Sequence, residues 1–139
     1  MLRLNQLLVS AKNEKNRCNF EAMNDIKSKE DIELLINTFY ANLLKLEDIR
    51  PVFEGIDFPK HVPHIVHFWA FVLLDEEGYK TNVFEKHINL PIKPYMFDKW
   101  LYVWISAVDN LFIGERADLA KQRATVLAFT FKSKWEKTK

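Results

Sequence analysis

The chain has 139 residues, enough for one domain with a sizeable core, and 48% of them are apolar. Lys and Arg number 20 against 19 Asp and Glu, so no basic surplus points to a nucleic-acid partner. A single cysteine, Cys18, excludes an intramolecular disulfide, and no apolar run is long enough to span a bilayer.

The start, Met1 to Val9, is apolar but too short, and too broken by Asn5 and Gln6, for a secretory signal. It reads as a tail, with Met23 a second candidate start, and a cytoplasmic location is expected. Residues 1–27 are expected to form an irregular N-terminal extension and 28–139 the folded domain. Ser28 to Asp31 predicts a helix start, with Ser28 as N-cap and Asp31 reaching back as in a capping box. Ile32, Leu35, Ile36, Phe39, Tyr40, Leu43 and Leu44 then recur at helical spacing, ending near Leu46. A turn follows through Asp48 to Phe53, where Pro51 bars continuation. A second helix is predicted from about Lys60 to Leu74, with Ile65, Phe68, Trp69, Val72 and Leu73 on one side.

The stretch Asp75 to Lys93, bounded by Gly78, Pro91 and Pro94, shows only a hint of helix at Val83 to His87. Irregular loops of this length usually carry function when ordered, and His87 is its one strong coordinating side chain. A third helix, Tyr95 to Ile113, keeps the 3.6-residue period through Phe97, Trp100, Leu101, Trp104, Ile105, Val108, Leu111 and Phe112. Gly114 marks a corner. A fourth helix runs from Glu115 to about Trp135, with Leu119, Arg123, Leu127, Phe131 and Trp135 in register, and its lysine-rich end suits the helix dipole. No window alternates well enough to argue a strand, so the chain is all-α.

Several chemistries are absent. Three glycines, at 55, 78 and 114, cannot build a dinucleotide or P-loop motif. No G-x-S-x-G or HExxH occurs. His61, His64 and His67 resemble a zinc run, but about 600° of helix rotation separates the first from the last, so they do not share a face. His64 and His67 read as solvent-facing.

Read in order, Phe39-Tyr40, then His61 ahead of Phe68-Trp69, then His87-x-x-Leu90-Pro91 with Pro94, then Phe97-Asp98-x-Trp100 form a series. This series closely resembles the group III truncated haemoglobins, over roughly Ile32 to Trp135. The resemblance implies a truncated globin fold, a two-over-two helical sandwich with haem held between the second and third helices. It implies His87 as the iron's axial ligand, Tyr40 and Trp100 as distal hydrogen-bond donors, and His61 on the distal side. Phe39, Phe53, Phe68, Trp69 and Phe97 become candidate walls of the haem pocket. A ligating imidazole is neutral, with its other nitrogen fixed by an acceptor.

The function so implied is binding of oxygen or another diatomic gas (nitric oxide or carbon monoxide) at a pentacoordinate-type haem iron, for transport or detoxification. A haem-dependent redox enzyme, peroxidase-like or removing nitric oxide with an external reductase, is the alternative. A haem-free helical interaction module is a third reading. No nucleic-acid or membrane partner is expected.

Overall fold

The computed structural model describes residues 23–78 and 92–138, with side chains as far as Trp135. Among these residues there are four α-helices and one 3₁₀ turn, and no strand. Helix α1 (Lys29–Leu43) starts as the sequence predicts: Ser28 Oγ accepts a hydrogen bond from the Asp31 N–H at 3.2 Å. Asp31 reaches further back than a capping box requires, accepting from the Lys27 N–H at 2.8 Å. The helix stops short of Leu46. Instead the Leu46 carbonyl accepts from both Ile49 and Arg50 N–H, turning the chain into the 3₁₀ segment Arg50–Phe53, which Pro51 opens.

Helix α2 (Phe58–Leu74) begins earlier than Lys60, because Asp57 caps it and Pro59 fits its first turn, where no N–H partner is needed. His61 therefore lies inside the helix, its N–H on the Asp57 carbonyl at 2.8 Å. Pro63 lies within the helix as well. The chain leaves α2 at Asp75, which takes the left-handed conformation (φ 56°). Helix α3 (Pro94–Leu111) and helix α4 (Glu115–Thr138) complete the set, joined by a corner at Gly114 with φ +140°.

Helix α1 packs with α2, and α3 with α4; the first pair lies over the second through α1–α3 and α2–α4 contacts. The layers meet on Trp69 of α2 and Trp104 of α3, stacked with centroids 4.6 Å apart. The register read for α4 is corrected. Its buried stripe is Ala117, Ala120, Ala124, Ala128, Phe131 and Trp135, while Arg123 is exposed and Leu119 and Leu127 are half-buried. Small side chains along one stripe let α4 approach its neighbours closely, and alanine is too weakly apolar to mark that stripe in a pattern of large hydrophobics.

Ahead of α1, Asp25 and Ile26 are irregular yet packed. Ile26 is fully buried, and Asp25 lies against Gly114 at the start of α4. Cys18, His87 and the rest of 79–91 lie outside the described residues.

Candidate functional site

Helix α1 presents Phe39, Tyr40 and Leu43 to a cleft of about 790 Å³, its open mouth included. The 3₁₀ turn adds Ile49, Val52 and Phe53, α2 adds Ile65, and α3 adds Met96, Phe97 and Trp100. Leu127 and Phe131 of α4, with Ile92, complete the lining. The helical period of α1 sets Tyr40 beside Phe39 on the buried side, and Pro51 bends the turn back so that Phe53 meets Tyr40 edge-on at 6.0 Å.

The polar groups here are few. The Tyr40 hydroxyl lies 3.0 Å from His61 Nε2, a bond between α1 and α2. Burial pushes the Tyr40 phenol well above its ordinary range, so it stays protonated. Phe58, from the cap of α2, meets Tyr40 edge-on at 5.1 Å and His61 at 6.3 Å, closing the pair off on one side. Trp100 is half-buried, parallel to Trp104 at 6.4 Å and edge-on to Phe39 at 6.0 Å. Its indole N–H has no hydrogen-bond acceptor among the described residues.

Of the residues singled out in the sequence, the cleft brings together Phe39, Tyr40, Phe53, Phe97 and Trp100, and Tyr40 brings His61. Phe97 anchors the α4 end, edge-on to Phe131 at 6.1 Å and Trp135 at 5.8 Å. Phe68 and Trp69 do not line it. Trp69 is 3% exposed and stacks on Trp104, and Phe68 meets Trp69 edge-on at 5.2 Å. His64 is exposed and His67 half-buried. Among the described residues no group of three or more His, Cys, Asp or Glu is placed to hold a metal ion, and no helix is long and apolar enough to cross a membrane.

Two contributions escaped the sequence reading. Phe58 had no motif to mark it. Asp48, just before the 3₁₀ turn, accepts hydrogen bonds from Tyr95 Oη and Lys99 Nζ of α3, both at 2.9 Å, tying one wall of the cleft to the other. Hydrogen bonds from Lys99 and then Tyr95 hold the Asp48 carboxyl below its usual range. Its partners are 47 and 51 residues away, beyond any local pattern.

Four helices in two layers with an aromatic cleft between them define the all-α truncated globin fold. No protein-family model matches the chain. A group 3 truncated haemoglobin from Campylobacter jejuni is 29% identical over 121 residues, covering 82% of this chain and 92% of that protein. The crystal structure of a group III truncated haemoglobin from Campylobacter jejuni superposes with a TM-score of 0.73 at 27% identity, over 81% of this chain and 94% of that one. The chain is thus similar to these group III truncated haemoglobins in both sequence and fold.

Proposed function

We propose that this chain binds haem in the aromatic cleft and, through it, oxygen or another diatomic gas. The residues present suit that group. The walls are flat rings and aliphatic side chains fit to cover a macrocycle, and the polar groups cluster at the Tyr40 corner and on Trp100 rather than spreading round the lining. Haem, when bound, supplies an iron with an open coordination position for the gas. His87, the candidate iron ligand, would hold the iron through a neutral imidazole nitrogen. Phe39, Phe53 and Phe97 cover the ring system and exclude water, while Phe68 and Trp69 support the helix behind.

The observation that carries this reading is the Tyr40–His61 pair at the edge of an otherwise apolar cleft. Tyr40 is held neutral, so the pair has two possible proton arrangements. With a proton on His61 Nε2, the histidine donates to the Tyr40 oxygen and the phenolic hydrogen is free to point at a ligand in the cleft. With Nε2 bare, Tyr40 donates to it and turns away. The indole N–H of Trp100 is a second donor, with no acceptor among the described residues. Donors of this kind favour a ligand that gains partial negative charge, each by about 1 kcal/mol net.

Two such donors around one ligand slow its release. That favours, as a second reading, detoxifying redox chemistry with an external reductase over simple carriage. The test is the visible spectrum of protein supplied with haem, reduced and then exposed to carbon monoxide, beside a His87→Ala variant. An intense Soret band that moves with carbon monoxide and is lost or strongly altered in the variant supports the reading. A wild type that is folded and takes up no haem sinks it and leaves the helical interaction module.

A further inference from the structure

The two most exposed large apolar side chains among the described residues, Tyr102 and Phe129, are each 73% exposed. They share one surface. Asp98 of α3 pairs with Lys132 of α4 at 3.1 Å, and Asp109 of α3 with Lys121 of α4 at 2.7 Å. Numbers rising along α3 as they fall along α4 mean that the helices are antiparallel, with Tyr102 and Phe129 between the two ion pairs. Asp98, Tyr102 and Asp109 fall on one face of α3 by helical spacing; on α4, Lys121 and Lys132 fall together, and Phe129 lies roughly 60–80° round from them toward solvent. The surface therefore carries acids on α3 and lysines on α4, paired at two heights along the seam, with Tyr102 and Phe129 between those heights.

Other charges nearby do not reverse this pattern. Lys99 is turned to Asp48, and Arg123 lies about 200° round α4 from Lys121. Asp118 is the exception on the α4 side, and it shares the Lys121 ammonium at 3.7 Å. The carboxylates are the more open partners, Asp98 at 67% and Asp109 at 55% exposure, so each keeps lone pairs for a second cation.

We infer that the outer face of α3 and α4 is a self-association surface whose occupant is a second copy of this chain. Charge selects both the occupant and the geometry. A two-fold axis parallel to the helices lays α3 of the second copy over α4 of the first at the same height. Asp98 and Asp109 then face Lys132 and Lys121 of the other copy, in both directions, while Tyr102 and Phe129 cover one another across the axis. An axis across the helices would instead set α3 on α3, acid against acid. The inference stands independently of haem binding.

Sedimentation of the full chain tests it. The wild type is expected at twice its 16.5 kDa mass, with the dimer weakening as salt rises. Phe129→Glu is expected to weaken the dimer at least about tenfold with helical circular dichroism unchanged. Two further chains settle the geometry: one with Asp98→Lys and Asp109→Lys, the other with Lys121→Asp and Lys132→Asp. Each alone sets like charge against like and is expected to be monomeric, and the two mixed are expected to dimerise. A monomeric wild type overturns the inference. So does a dimer insensitive to Phe129→Glu, or a folded charge-reversed pair that fails to associate on mixing.

Discussion

The Tyr40 hydroxyl and His61 Nε2, 3.0 Å apart, join α1 to α2 at the polar corner of the cleft. Removing the hydroxyl deletes the proposed donor to a bound gas while leaving the ring contacts with Phe39, Phe53 and Phe58 in place. Tyr40→Phe is expected to speed oxygen release from the haem-loaded protein about tenfold, the equivalent of one good hydrogen bond of about 1.4 kcal/mol. Stopped-flow dissociation rates check this. An unchanged rate would assign the stabilising contact to Trp100 instead.

The same residue predicts an alkaline limb. Burial raises the folded-state value of Tyr40 above the ordinary 10.0, so the folded chain holds its proton where the unfolded chain releases it. Stability from this group is complete below 10.0 and falls as pH rises above it. Tyr95 is raised too, by its hydrogen bond to Asp48, but it is solvent-exposed and contributes far less. Denaturant midpoints measured across this range are expected to fall steeply for the wild type and distinctly less for Tyr40→Phe.

Asp25 caps α4 from the far side of the sequence. Its Oδ2 accepts from the Arg116 N–H and its Oδ1 from the Ala117 N–H, both at 2.8 Å, and Arg116 Nη1 donates to the Ile26 carbonyl at 3.1 Å. Burial pushes this carboxyl up, but the N–H groups of Arg116, Ala117 and Ile26 and the Arg116 charge outweigh it and hold it below its usual 3.8. The lowered value means that its stabilisation is present above 3.8 and is lost as pH falls through the folded-state value. Asp25→Ala is expected to cost about 1–2 kcal/mol at neutral pH, and Asp25→Asn to flatten the acid limb, both read by urea unfolding.

Gly114 makes that cap possible. A Cβ there would lie 2.5 Å from Asp25 Cγ, and φ is +140°, a region side chains rarely adopt. Because Asp25 is fixed by three backbone donors, it cannot yield cheaply. Gly114→Ala is expected to lose at least about 2 kcal/mol, more than a typical corner substitution. The urea midpoint measures it; a neutral outcome would show that the cap can be rebuilt.

The fold was largely legible because each helix of this chain carries a local signature: Ser28 with Asp31, Pro51 after α1, a 3.6-residue stripe along α3, and Gly114 at the corner. What was not legible depends on distance or on small side chains. Asp25 reaches α4 across 91 residues and Asp48 reaches Lys99 across 51, with no local trace of either bond. The alanine stripe of α4 carried too little hydropathy to be seen. In the site, resemblance selected Tyr40, His61 and Trp100, and the cleft brings Tyr40 and Trp100 to one lining with His61 bonded to Tyr40. Phe68 and Trp69 follow a helical step that faces the core, and a step alone does not distinguish a pocket wall from the layer behind it.

Trp69 and Trp104 separate those two possibilities by experiment. Trp104 is 1% exposed, donates to the Ala120 carbonyl at 3.2 Å, and lies between Trp69 and the cleft-lining Trp100. Trp104→Phe removes that bond and leaves a space behind Trp100, with an expected loss of about 2–3 kcal/mol and faster ligand release, since Trp100 loses the ring it rests on. Trp69→Phe thins the stack on its far side, one layer further from the cleft. It is expected to cost stability on a similar scale while leaving the haem spectrum and gas off-rate unchanged. A Soret shift in the Trp69 variant comparable to that of the Trp104 variant would instead make Trp69 a wall of the pocket, with the helix α2 side chains closer to the bound group than the cleft lining indicates.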